Sequence, residues 1–196
     1  NDALLVQEIG QAISSVLDID ELLRSVMNIL EKRLDFDRGF IMLADVTRTR
    51  LVYTMGYGFH PPDAALRQDV IDLEHAPQGG ILAKTFHTRQ PQLIDRPASQ
   101  DSETVGAWAG QVFRPTICVP IIFEGESLGV LCIDNLHSQK TLTQSDVSLL
   151  AGIAQQIGIS IHNARSFQRL QASEEKYRDL VENANSIILR VDRFGK

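Results

Sequence analysis

Nucleophiles and metal ligands are sparse in this chain, and their spacing limits the chemistry open to it. Cys118 and Cys132 are its two cysteines. Each lies inside an apolar run, with no adjacent His or Arg to hold a thiolate. Their separation matches no metal motif. They read as small buried hydrophobes, with a redox pair or a nucleophile as the chemical alternative. The histidines, His60, His75, His87, His137 and His162, form no i, i+4 pair and no His-Glu-x-x-His. Surface and capping roles are expected of them, no metal site is assigned, and a haem ligand among them stays open. Gly79-Gly80 is not followed by Lys-Ser/Thr, and Gly56-x-Gly58 lacks a third glycine, so no phosphate loop is present. No nucleophile, base and orienting group combine. No catalytic residue is assigned, and no enzymatic activity is expected of this segment.

The elements that would position these residues follow from periodicity. Leu5, Ile9, Ala12, Ile13 and Val16 have helical spacing over Ala3–Leu17. Asp18 can cap a second helix, with Glu21 three residues on and an apolar stripe at Leu22, Leu23, Val26, Ile29, Leu30 and Leu34. Gly39–Ala44 and Leu51–Tyr57 predict a hairpin joined by Asp45–Arg50. Pro61 and Pro62 break the pattern. Val70–Leu73 and Gln92–Asp95 predict short strands either side of a short helix, Gly79–Arg89. Pro97–Gly110, which holds the single tryptophan, Trp108, reads as a long surface loop. Arg114–Asn135 predicts a central hairpin turning at Glu124-Gly125-Glu126, where Gly125 suits a positive φ. Thr143 caps a last helix, with Asp146 three residues on. Its apolar positions are Leu150, Ile153, Ile157, Ile161, Ala164, Phe167 and Leu170, and it is expected to run to about Asn183, roughly 60 Å. Helices meeting strands in this order predict an α+β fold with an antiparallel sheet.

The chain has 196 residues, a net charge of -6, 43% hydrophobic and 22% charged residues. That balance allows a sizeable core and argues against overall disorder. An acidic chain without a basic face is not expected to bind nucleic acid. Its apolar runs fall short of the roughly 20 residues that cross a bilayer, so no membrane contact is expected in this segment. No secretory signal precedes the first helix and no disulfide framework can be built, so a cytoplasmic location is expected.

Residues Leu4–Phe167 resemble a GAF domain. The resemblance is carried by Val119-Pro120-Ile121, Gly129-Val130-Leu131, Asp134-Asn135, Leu142-Thr143-x-x-Asp146, Leu149-Leu150 and Ile157-x-x-Ser160-Ile161-x-Asn163-Ala164. It implies a six-stranded antiparallel sheet with helices on one face and a ligand-sized cavity on the other. Ser173–Ala184 resembles the opening helix of a PAS domain, and Ser186–Lys196 its first strand and turn. The implied layout is a GAF sensor domain over 1–167, a connecting helix over 168–183, and over 173–196 the truncated start of a PAS domain. GAF followed by PAS resembles bacterial signalling proteins, sensor histidine kinases first and diguanylate cyclases second. Downstream PAS and output domains are then expected in the same chain.

The resemblance also proposes a site. A pocket would be lined by the sheet face, the Gly79–Arg89 helix and the Pro97–Gly110 loop, with Phe59, Ile81, Trp108, Phe113 and Cys118 as candidates. The same residues could equally complete a filled core. No cofactor is evident, and an unidentified small-molecule ligand is the open partner. Cyclic-nucleotide GAF domains carry Asn-Lys-x-Phe-Asp-Glu. Asn135 and Asp146 fit that pattern, but Leu136, Leu142 and Val147 replace its Lys, Phe and Glu, so cyclic AMP or GMP is not expected. Bilin-binding relatives use a loop cysteine commonly followed by His, which neither cysteine matches. Free methionine sulfoxide reductases of GAF type use loop cysteines, and that enzyme is the alternative reading, beside a structural dimerisation module with no ligand. Ile157, Ile161, Ala164, Phe167 and Leu170 run past the last strand, so an uncovered stripe is expected to form a homodimer through the C-terminal helix.

Overall fold

The computed structural model describes residues 4, 6–7, 18–59, 70–74, 80–94 and 116–194, with 184–194 as backbone. Its elements are α1 (Ile19–Lys32), β1 (Arg38–Ala44), β2 (Arg50–Tyr57), β3 (Val70–Asp72), α2 (Gly80–Thr88), β4 (Gln92–Ile94), β5 (Thr116–Phe123), β6 (Glu126–Asp134) and α3 (Gln144–Phe194). The six strands form one sheet in the order β3-β2-β1-β6-β5-β4, every neighbour antiparallel. Leu4, Val6 and Gln7 are helical, and the rest of the expected first helix lies outside the described residues. So does the expected Pro97–Gly110 loop.

Local chemistry accounts for the helix starts. The Asp18 carboxylate accepts from the Asp20 and Glu21 amides, satisfying donors that the first turn of α1 leaves open. Before α3, the Asp146 carboxylate accepts from the Thr143 amide and hydroxyl, both at 2.7 Å. The tight hairpin between β5 and β6 turns on Glu124 and Gly125, with φ of 49° and 80°. Two successive positive φ values match the twist of the flanking strands. Across the sheet, the Asp45 carboxylate gathers the Thr49 and Arg50 amides and closes the β1–β2 turn.

The sheet is buried on both faces. On one, Ile41, Ile117, Val119, Ile121, Leu131 and Ile133 pack under α1 and the first half of α3. Leu22, Leu23, Val26, Met27 and Leu30 of α1 complete that layer. Each such side chain contributes about 1.5–3 kcal/mol on burial. On the other face, Phe40, Met42, Leu51, Tyr53, Cys118, Val130 and Cys132 pack with Ile81, Leu82, Ala83 and Phe86 of α2. Helices therefore flank both faces, rather than one. Covered on each side, β5 and β6 read as unbroken apolar runs instead of alternating ones.

Two corrections concern α3. Ser186–Phe194, expected as a strand, continues the helix, which has 51 residues and spans roughly 77 Å. A strand there would have no neighbour to pair with among the described residues, whereas the helix satisfies its backbone within itself. The stripe expected to be uncovered is also shorter than supposed. Ile157, Ile161 and Ala164 are fully buried, the two isoleucines in the core with the sheet and α1. Sheet and α1 reach further along α3 than a count of strands suggests. Exposure begins at Phe167 and Leu170, 47% and 67% accessible, and continues at Tyr177, Leu180 and Val181.

Candidate ligand-binding face

The face covered by α2 carries the chemistry, and strand register sets its layout. Arg38 lies opposite Asp134, which also pairs with Thr116, so one row across β1, β6 and β5 is polar. The next row on the same face is Phe40, Cys132 and Cys118. Met42 and Val130 follow.

Arg38 and Asp134 are each only 2% accessible. The Arg38 Nε donates to Asp134 Oδ1 at 2.9 Å, and Nη2 to Oδ2 at 2.8 Å. The Leu136 amide donates to Oδ1 at 3.0 Å. Burial holds the Asp134 carboxyl above its ordinary range, with the Arg38 guanidinium and the Leu136 amide pulling against it. The guanidinium carbon stands 5.0 Å from the Phe59 ring centroid, within cation–π range. Phe59 meets Phe40 edge-on at 6.1 Å. A buried charge thus lies beside an apolar wall.

Helix α2 closes this face and is tied down at its C-terminal end. The Ser127 hydroxyl donates to the Phe86 carbonyl at 2.7 Å, and a His87 ring nitrogen lies 3.1 Å from the Leu73 carbonyl. Two hydroxyls on this side, Thr85 of α2 and Thr116 of β5, are buried without a hydrogen-bond partner among the described residues. Such groups cost about 1–3 kcal/mol when left unmatched. Apolar walls with a few convergent polar groups are what small-molecule sites are made of.

Of the expected pocket residues, Phe59, Ile81 and Cys118 fall in this one cluster. Trp108 and Phe113 lie outside the described residues. Cys118 and Cys132 are buried, as expected of small hydrophobes, and they face each other and are joined as a disulfide, which accords with the redox-pair alternative. An open cleft of about 510 Å³ lies elsewhere, between the β5–β6 turn and α3, lined by Arg89, Pro120, Phe123, Gln155 and Ile159.

Periodicity and motif both pass over Arg38, which stands at the head of an apolar strand and looks like a surface charge. Asp134-Asn135 turns out to be structural. The Asn135 side chain accepts from the Asp37 amide at 3.2 Å and donates to the Lys140 carbonyl at 3.1 Å. Asp37 in turn accepts from the His137 and Ser138 amides. The expected surface or capping roles fit His87, bonded as above, and His162, stacked on Phe123 at 3.9 Å. His60 and His75 lie outside the described residues. Leu142 and Val147, which replace ligand-motif residues, are core side chains. Among the described residues no cluster of His, Cys, Asp or Glu could hold a metal, and no helix is long and apolar enough to cross a membrane.

Comparison with known proteins agrees with this architecture. The chain is 27% identical to the formate hydrogenlyase transcriptional activator FhlA of Escherichia coli, over 91% of its own length and 26% of that protein's. It is 27% identical to the peroxide stress-activated histidine kinase mak2 of Schizosaccharomyces pombe, over 83% of this chain and 7% of that one. The chain spans about a quarter of the length of the first curated relatives it matches. A crystal structure of a methyl-accepting chemotaxis protein superposes with a TM-score of 0.70 at 26% identity, covering 81% of this chain and 98% of that one. The GAF domain family matches residues 16–162, three quarters of the sequence, so with its six-stranded antiparallel sheet and long terminal helix the chain belongs to the GAF domain family.

Proposed function

We propose that this chain is a sensory input domain of a signal-transduction protein, a histidine kinase in the first instance, with PAS and output domains downstream in a cytoplasmic protein. A small molecule binds without covalent attachment on the face under α2, and α3 relays its presence to the output through a homodimer. The observation that carries the reading is the apolar stripe on a helix that has left its domain. Phe167, Leu170, Tyr177 and Val181 are exposed and fall at the a, d, d and a positions of one heptad frame, with Glu174 at the intervening a. Side chains so spaced suit a parallel partner helix. Kinship with a histidine kinase and a transcriptional activator supports a regulatory role. The helical backbone of Ser173–Ala184 agrees with the opening helix of a PAS domain.

Sedimentation equilibrium tests the relay. The parent chain is expected to be a dimer at high micromolar concentration, and Phe167→Glu to shift it toward monomer with an unchanged unfolding midpoint. A monomeric parent would refute the dimeric relay. Intact mass of protein isolated from its native host is expected to equal the bare chain less the two hydrogens of the disulfide, and a cysteine-dependent adduct would overturn non-covalent binding.

A further inference from the structure

We propose that Cys118 and Cys132 form a redox-modification site, a dithiol–disulfide pair oxidised by a small hydroperoxide beneath α2. Three observations carry it. The cysteines are directly opposite on neighbouring strands, their Cα atoms 4.2 Å apart, and their sulfurs are bonded. Both side chains are buried, at 0% and 1%, in the layer capped by α2. Their meeting also depends on a register shift in the hairpin. Phe123 pairs with Glu126 and Ile122 with Ser127, but Ile121 pairs with Gly129, so Leu128 is an extra residue in β6. Without it, Cys118 would face Leu131, and Cys132 would lie opposite Ile117 on the other side of the sheet. One bulged residue therefore places both sulfurs together on the candidate ligand face.

The hairpin does not need the cross-link. It is already closed by a tight turn and paired from Thr116 to Phe123, contacts that hold the two strands together in the folded state whether or not the sulfurs are joined. Reduced, the two thiols are small hydrophobes that leave no strong hydrogen-bonding group unmatched. Both oxidation states thus fit one fold, as reversible chemistry requires. Burial limits both directions of the cycle to small reagents, a hydroperoxide for oxidation and a small dithiol for reduction.

One thiolate attacks the hydroperoxide; an S–O bond forms, the O–O bond breaks, and the alcohol or water leaves with a proton. The facing thiol then attacks the sulfenic sulfur; the S–S bond forms, the S–O bond breaks, and water leaves. In sum, two thiols and one hydroperoxide give one disulfide, one alcohol and one water. A dithiol reductant resets the pair by exchange.

The test requires neither a bound ligand nor a dimer, so its failure is separate from that of the sensory reading. The native chain is reduced with dithiothreitol, pulsed with hydrogen peroxide, then denatured and alkylated for intact-mass analysis. Reactive cysteines are expected to fall from two to none within single chains, and to return when dithiothreitol is added to the native protein. Cys132→Ala is expected to leave a sulfenic acid on Cys118 that dimedone traps. Should that variant fail to fold, the parent measurement decides alone. The proposal is overturned by two alkylatable thiols surviving the peroxide pulse, by cross-links between chains instead, or by a disulfide that yields to dithiothreitol only after unfolding.

Discussion

Replacing Arg38 with Met isolates the buried ion pair. The substitution keeps an unbranched side chain of comparable reach and removes the charge. Asp134 then loses its bonds to Nε and Nη2, at 2.9 and 2.8 Å, and among the described residues keeps only the Leu136 amide in a site 2% accessible. Breaking a buried pair in this way costs about 3–5 kcal/mol. Losing the guanidinium over the buried Phe59 ring adds up to about 2 kcal/mol. Set against a typical domain stability of about 5–15 kcal/mol, Arg38→Met is expected to lower the urea midpoint sharply. The double variant Arg38→Met, Asp134→Leu removes both charges and is expected within about 1–2 kcal/mol of the parent, the orphaned Leu136 amide accounting for much of the difference. Urea unfolding followed by far-ultraviolet circular dichroism gives the full cycle. Acid supplies a second arm. Burial already raises the Asp134 carboxyl above its ordinary 3.8, so the folded state takes up that proton before the unfolded chain does. In Arg38→Met the guanidinium no longer opposes this, and the variant is expected to regain stability relative to the parent as pH falls from neutral toward that value. A single variant costing under about 1 kcal/mol, or a double variant costing the sum of the singles, would refute the account of Arg38 as the partner that makes a buried Asp134 tolerable.

Other expectations follow from the packing. A Cβ at Gly158 would press into the Ile122 carbonyl oxygen, a backbone atom that cannot swing aside, so Gly158→Val is expected to cost about 1–3 kcal/mol or more in chemical denaturation. Leu170→Glu, at an exposed position on α3, is expected to weaken dimerisation by light scattering without moving the unfolding midpoint. At Asp37, burial pushes the carboxyl up, but the bonds from Ser138 and His137 together outweigh it and hold the group below 3.8. Its contribution is therefore fully present above 3.8 and lost as pH falls through the lower folded value, so the stability gap between the parent and Asp37→Asn is expected to close in acid. Deleting residues 186–196 is expected to leave the thermal midpoint within about a degree or two, because the described core ends at Ala164.

The central hairpin and the helix caps were legible because each is written in residues whose local chemistry has one outcome. Glu124-Gly125 turns, and Thr143 with Asp146 caps, whatever surrounds them. The pairing of Cys118 with Cys132 was not legible. It rests on one extra residue, Leu128, apolar among apolar neighbours, and in strands buried on both faces no alternation survives to reveal a slip. Arg38 was missed because a charge beside an apolar run is ordinarily a surface residue, and only the fold brings Asp134 to it. Three of the five residues of the supposed dimer stripe were core because the reach of α1 and the sheet along α3 is a tertiary quantity. Ser186–Phe194 has strand-forming residues, but local preference yields to the backbone's need for partners.

The close seating of α3 on β5 has a mechanical consequence. At Gly158 the helix backbone rests against the Ile122 carbonyl without an intervening side chain, making that contact a fulcrum. From Gly158 to Phe194 the helix extends about 54 Å. A tilt of about 5° at the fulcrum sweeps the far end through about 5 Å, the rise of one helical turn. Displacements too small to break any contact in the core would thus reach the end of this lever as shifts of about 5 Å, and Ile122 sits beside the bulge that positions the cysteines.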